Sequence, residues 1–216
     1  VYSPDYSSFN SYSVNVVKKQ SGAGPIAENS TYPSSILFND LDSNWAKDYI
    51  YYLFEKSIIS GYGDNTVKPD RYVSRAEIAK MVVTAKKITI SKDSEFPFRD
   101  IKNTPSWAVV YINEAYKQKF LEGYTGNVFR ANDNVTRAEA IKILENVFGN
   151  EAGISGFSVF FSDEFDIPVW SKKYIINAYQ KGVIQGYNDN AIKPNNFITR
   201  AELSKAIYFY LEMLKK

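Results

Sequence analysis

The sequence predicts a mainly α-helical protein built from three helix-loop-helix repeats, and three observations carry that prediction. The three tryptophans fall at Trp45, Trp107 and Trp170. A Gly-Tyr pair begins 16 positions after each one, at Gly61-Tyr62, Gly123-Tyr124 and Gly186-Tyr187. Fourteen positions beyond each Gly stands the Arg of a tetrad: Ser74-Arg75-Ala76-Glu77, Thr136-Arg137-Ala138-Glu139 and Thr199-Arg200-Ala201-Glu202. Markers that hold register at a period of 62 and then 63 residues are the signature of an internal repeat. A Phe-x-Asp opens each unit, at Phe38-Asn39-Asp40, Phe98-Arg99-Asp100 and Phe161-Ser162-Asp163.

Within each unit the first helix is expected to begin near the Trp. In unit one Asp42 or Ser43 can serve as N-cap, and Trp45, Tyr49, Tyr52 and Leu53 fall at helical spacing on one apolar face. In unit two Thr104-Pro105 reads as an N-cap followed by Pro at the first helical position. Trp107, Tyr111 and Ala115 continue the pattern there, as do Trp170, Tyr174 and Ala178 in unit three. The Gly-Tyr pair is expected to stop this helix, with Gly61, Gly123 and Gly186 as C-caps, or as points of close approach to a ligand. Asn65, Asn127 and Asn190 stand at equivalent loop positions, where a residue tolerant of left-handed backbone is useful. The second helix should run from the tetrad to about Lys87, Phe148 and Lys215. Ahead of the repeats, residues 1–37 are crowded with Ser and poor in charge. Tyr12, Val14 and Val16 alternate like a short strand before Gly22-Ala23-Gly24-Pro25 breaks the pattern. The expected divisions are a Ser-rich linker or tail of a preceding domain over 1–37, then repeats over 38–97, 98–160 and 161–216. A start at Val1 without Met is expected of a processed protein or a fragment.

Composition excludes several chemistries. The chain has 216 residues, a formal net charge of +2, no Cys and no His. Without those residues there is no disulfide framework, no Cys-based zinc site, no Ser-His-Asp triad and no Cys-His nucleophile. The charge is too small for the basic footprint of a nucleic-acid binder. No apolar run approaches the ~18 residues of a membrane span. Aromatic residues are abundant at 16%.

The tetrad separates into a part that capping explains and a part that it does not. Ser/Thr-x-x-Glu is a capping box: the hydroxyl takes the third helical amide and the Glu reaches back to the cap amide. Arg75, Arg137 and Arg200 stand at the first helical position, where a cation is unfavourable by about 0.3–1 kcal/mol. Two readings account for them. One is a ligand anion, with outward-pointing helix amides and a planar guanidinium suited to a carboxylate. The other is an internal pair with a neighbouring unit's carboxylate, for which Asp40, Asp100 and Asp163 are the candidates. The Trp residues likewise read either as core or as platforms under a sugar ring.

With these motifs in place, the sequence resembles the S-layer homology (SLH) family across about residues 38–216. Phe-x-Asp, Trp, Gly-Tyr-x-Asp and Thr-Arg-Ala-Glu in this order and spacing carry the likeness. The resemblance implies a three-pronged pseudo-trimer in which one helix from each unit meets in a central three-helix bundle. It implies a secreted, non-catalytic module at a bacterial cell surface, without cofactor or metal and monomeric in isolation. Its implied partner is pyruvylated secondary cell-wall polysaccharide, bound in grooves between units, with no nucleic acid and no membrane insertion. By position, the implied carbohydrate-binding residues are Arg75, Arg137 and Arg200 toward the ketal carboxylate, with Trp45, Trp107, Trp170, Asp40, Asp100, Asp163, Gly61, Gly123 and Gly186.

Some positions depart from the pattern. Unit two reads Gly123-Tyr124-Thr125-Gly126-Asn127 without the loop Asp, and has Ala131 where the others have Pro69 and Pro194. Its loop is therefore the one expected to be rearranged. Two rival classes fit the composition. A glycosidase would need a convergent carboxylate pair, yet the repeated Glu are spent on capping boxes. A protein-binding scaffold suits helical repeats but does not call for an Arg at each helix start.

Overall fold

The computed structural model describes residues 38–91, 96–149 and 160–215, and the expected strand over Tyr12–Val16 lies outside them. Among the described residues six α-helices follow in order: α1 (Lys47–Glu55), α2 (Arg75–Ala85), α3 (Val109–Lys117), α4 (Arg137–Phe148), α5 (Lys172–Gln180) and α6 (Arg200–Met213). Each repeat thus supplies two helices, as the periodicity predicts.

The second helices begin as expected. At Ser74, Thr136 and Thr199 the hydroxyl accepts the third helical amide while Glu77, Glu139 or Glu202 accepts the cap amide. The first helices begin later than expected, and without side-chain caps. Trp107 and Trp170 lie in short 3-10 turns, Ser106–Ala108 and Val169–Ser171, ahead of α3 and α5, and Trp45 lies in a turn before α1. Thr104 does not cap a helix; its hydroxyl donates to the Asp100 carbonyl. Nor does the Gly-Tyr pair end the first helix. The left-handed residues that do so are Ser57, Lys119 and Gly182, four positions before each Gly. Gly61 and Gly123 are small for another reason: a Cβ there would come within 2.2 and 2.3 Å of the Phe38 and Phe98 rings that open the same repeats. Asn65, Asn127 and Asn190 do adopt the left-handed conformation, with φ of 58°, 56° and 58°.

Hydrogen bonds close the repeats into a ring. The residue before each tetrad donates to and accepts from its counterparts. Val73 N–H donates to the Ile198 carbonyl, Ile198 to Val135, and Val135 to Val73, at 2.9–3.0 Å. All three side chains are buried, so the ring sits in the apolar interior. Helix pairing follows the same cycle. The second helix of each repeat packs on the first helix of the next, α2 on α3 and α4 on α5, and α6 returns to α1. One repeat alone therefore cannot cover its own apolar faces, and a single core runs through all three.

The loop of repeat two is less altered than its sequence suggests. Tyr124 N–H donates to the Val128 carbonyl at 2.8 Å, as Tyr62 does to Thr66 and Tyr187 to Ala191. The missing loop Asp is replaced by a different tie, from Arg99 Nε to the Gly126 carbonyl at 3.0 Å. Ala131 offers Ala76 the same carbonyl that Pro194 and Pro69 offer Ala138 and Ala201.

Candidate functional site

Arg75, Arg137 and Arg200 are only 4–6% exposed. Each reaches into the loop of the next repeat around the ring. Arg75 Nε donates to the Phe129 carbonyl at 2.9 Å and Nη2 to the Glu122 carbonyl at 2.6 Å. Arg200 repeats this with Val67 at 2.8 Å and Ser60 at 2.7 Å. Arg137 Nε donates to the Ile192 carbonyl at 2.9 Å. Their planar faces lie over the Tyr of the Gly-Tyr pair, Arg75 on Tyr124, Arg137 on Tyr187 and Arg200 on Tyr62, at 4.5–5.2 Å from the ring centroid. Burial pulls Arg75 and Arg200 below the usual guanidinium range, yet a group that basic keeps its proton.

The ion-pair partner anticipated for these arginines is a different carboxylate. Asp40 accepts the amides of Val67 and Lys68, Asp100 those of Phe129 and Arg130, and Asp163 those of Ile192 and Lys193. Val67, Phe129 and Ile192 are the very residues whose carbonyls receive an Arg Nε. Each Asp thus fixes a peptide from its N–H side, and the preceding repeat's Arg fixes it from its carbonyl side. The carboxylate that Arg137 and Arg200 do meet is the capping Glu of the next repeat: Arg137 Nη1 lies 3.2 Å from Glu202 and Arg200 Nη1 3.4 Å from Glu77. Arg75 makes no ion pair among the described residues, although Glu139 occupies the equivalent place and acts on it electrostatically.

The capping Glu therefore does two jobs. One oxygen takes its own cap amide, at 2.8 Å from Ser74, 2.8 Å from Thr136 and 3.0 Å from Thr199. The other takes the Tyr hydroxyl of the same repeat, Tyr62, Tyr124 or Tyr187, at 3.4, 3.2 and 2.5 Å. Burial first, and then Glu202, push the Tyr187 hydroxyl up to about 12. Burial raises Glu77, but the Ser74 amide, Arg71 and Arg200 outweigh it and hold the carboxyl below its usual value.

The helix amides are not the anion site that the Arg position suggested. The first two amides of α2, α4 and α6 donate to loop carbonyls of another repeat, Arg75 to Asp133, Arg137 to Asn196 and Arg200 to Arg71, with the adjacent Ala amides likewise occupied. The third goes to the cap hydroxyl. Ring closure consumes these donors, so the cations of each groove lie on side chains.

The Trp residues resolve the other way. Trp45, Trp107 and Trp170 are 56%, 46% and 47% exposed, far from core values. Each has a lysine ammonium 5.8–5.9 Å from its ring: Lys205 at Trp45, Lys80 at Trp107 and Lys142 at Trp170. These lysines stand five residues after each tetrad Arg. Neither these lysines nor the Tyr residues as groove walls follow from any local motif, and their recurrence in register is the one sequence signal that points to them.

Three grooves result, and each draws on all three repeats. The groove at Arg75 also holds Gly123, Tyr124, Glu139 and Lys142 of repeat two and Trp170 of repeat three, around a cavity of about 170 Å³. The groove at Arg137 brings Tyr187, Glu202 and Lys205 together with Trp45. The groove at Arg200 brings Tyr62, Glu77 and Lys80 together with Trp107. An aromatic plate, a buried guanidinium and a lysine ammonium in one cleft suit a ring with an apolar face and an acidic substituent. Among the described residues no cluster of carboxylates could hold a metal ion, and no helix is long and apolar enough to cross a membrane.

Comparison with known proteins agrees with this architecture. The S-layer homology domain matches residues 37–79, 97–141 and 161–204, and the chain belongs to that family. It is 35% identical over 82% of its length to an exoglucanase of Acetivibrio thermocellus, of which it covers 16%. It is 32% identical over 90% of its length to an amylopullulanase of Thermoanaerobacterium thermosulfurigenes, of which it covers 11%. A cellulosome-anchoring protein of Acetivibrio thermocellus is 32% identical over 66% of the chain, which spans 32% of that protein. The chain therefore corresponds to a small part of each of these relatives, and in the two with enzyme names the match covers less than a fifth of the protein.

Proposed function

We propose that this chain is a non-catalytic anchoring module at a bacterial cell surface, binding pyruvylated secondary cell-wall polysaccharide in its three grooves. The observation that carries the reading is the convergence, in each groove, of a buried Arg, a half-exposed Trp and a Lys from three different repeats. The indole stacks on the apolar face of a sugar, and Arg75, Arg137 or Arg200 with the adjacent Lys meets the ketal carboxylate. Gly61, Gly123 and Gly186 contribute through their backbone, which carries the neighbouring Tyr into each groove, the side of Gly61 and Gly123 that lacks a Cβ being filled by Phe38 and Phe98. Asp40, Asp100 and Asp163 contribute from behind, by holding the peptide that seats each Arg. The hydrogen-bonded ring supports a pseudo-trimer with a central three-helix bundle, monomeric in isolation. Anchoring also accounts for relatives whose names combine enzymes with surface proteins, since a tether can follow any cargo.

Calorimetric titration with native wall polysaccharide, and with the same material after mild acid removal of pyruvate, tests this. Binding to the native form alone is expected, with a stoichiometry that counts the working grooves. Equal binding to both forms would overturn the Arg–carboxylate contact. Binding to neither would point to a protein partner instead.

A further inference from the structure

The grooves repeat the same plan, but their charges do not match, and the mismatch is set by one position in the turn before each second helix. That position is Arg71 in repeat one, Asp133 in repeat two and Asn196 in repeat three. Each backbone carbonyl there does the same work, accepting the first helical amide of another repeat. Only the side chains differ. Arg71 Nη1 donates to Glu77 at 2.6 Å and to the Tyr62 hydroxyl at 2.5 Å, within the groove of Arg200. Asp133 sits directly at the start of α2, where its carbonyl takes the Arg75 amide at 3.0 Å, and its charge acts on Arg75 and on Tyr124.

The balance around each Tyr follows. Asp40, Asp100 and Asp163 are bonded alike to loop amides in every groove, so the difference lies in the other charges. At Arg200 four cations, Arg71, Arg200, Lys68 and Lys80, face Glu77 and Asp64 besides Asp40. Glu77 is shared by two guanidiniums, so its pair with Arg200 does not exhaust the positive charge. At Arg137 three cations, Arg137, Lys193 and Lys205, face Glu202 and Asp189. At Arg75 three cations, Arg75, Arg130 and Lys142, face three carboxylates, Glu139, Asp133 and Glu122. Those common Asp aside, the surplus falls from two to one to none.

Resting on the anchoring role proposed above, we infer that the three grooves form a graded series for acidic glycan, strongest at Arg200 and weakest at Arg75, and that Arg71, Asn196 and Asp133 are the residues that set the grade. A chain of this kind holds the wall by one tight groove and engages the others as the polymer wraps, which lengthens residence beyond that of any single contact. The Arg71 side chain is half-exposed, and repeat three shows that Asn is accommodated at this position, so Arg71→Asn and Asp133→Asn change groove charge with the fold kept.

The three tryptophans, one per groove, allow each groove to be read separately. The full chain labelled with 5-fluorotryptophan gives three fluorine signals, assigned by single Trp→Phe variants, and is titrated with fragments of pyruvylated wall polysaccharide. The Trp107 signal should reach its midpoint first, Trp45 next and Trp170 last. Arg71→Asn should move the Trp107 midpoint up about fivefold and Asp133→Asn should move that of Trp170 down by about the same factor, the scale of a part-exposed charge pair. High salt should draw the three midpoints together. Midpoints that coincide, a reversed order, or midpoints indifferent to both variants would overturn the series while leaving groove binding intact. Binding seen by calorimetry with no fluorine signal moving would instead remove the groove reading itself, and the series with it.

Discussion

Helices α2, α4 and α6 are chemically alike at one end and unlike at the other. At their N-termini all three present a buried aliphatic residue, a hydroxyl cap, a buried Arg, a buried Ala and a capping Glu. Two turns further on the likeness ends. Glu145 of α4 stands where α2 has Val83 and α6 has Tyr208, and Tyr210 of α6 stands where the others have Ala85 and Val147. The buried Tyr210 hydroxyl donates to Glu145, which also holds Lys181 Nζ at 3.0 Å. Burial and the adjacent Glu145 push the Tyr210 hydroxyl far above its usual value, so it stays a donor. On the other side of α6, Tyr208 packs edge-on against Tyr49 and Tyr52, and the Tyr52 hydroxyl reaches Glu212 at 2.8 Å. Identical contacts close a ring but do not say which repeat follows which. Unlike contacts do, because Tyr210 placed beside Val83 would bury its hydroxyl without an acceptor. The two ends thus divide closure from order.

Substitutions at the two ends should separate these roles. The largest effect is expected from Arg200→Ala. It strips the Val67 and Ser60 carbonyls of their donor and leaves Glu77 to Arg71 alone, at a cost of about 3–5 kcal/mol in urea unfolding. Loss of glycan binding in that variant would therefore mix lost contact with lost ring closure. Tyr210→Phe should come next, destabilising by about 1–2 kcal/mol through the lost buried hydrogen bond to Glu145, whose two oxygens keep Lys181. Its calorimetric affinity for wall glycan should match the parent's, and a fall in affinity would mean that the two ends are coupled. Trp107→Ala should be the mildest in stability, within about 0.5 kcal/mol, because its side chain is half in water. It should nonetheless abolish the response of its own groove to glycan. A large drop in stability there would make the Trp a core residue after all.

The repeats, the second helix of each and its capping box are legible in the residues alone, because these rest on local spacing and on hydrogen bonds between residues three apart. The sequence also singled out Arg75, Arg137 and Arg200, through a charge that helix formation does not want. It left their environment open, and with reason: each Arg inserts into a loop some 50 residues further along the chain or, for Arg200, more than 130 residues back. By residue type alone the Trp residues read first as core and only second as platforms, since helical spacing cannot tell a turn that precedes a helix from its first turn. That the repeated Asp brace a peptide, and that the helix amides go to neighbouring repeats, becomes visible only in the folded ring. It alone showed that every groove takes its Arg, its Tyr and its Trp from three different repeats. Ring closure joins positions far apart in sequence, and no local rule reads a contact whose two halves are brought together only by the fold.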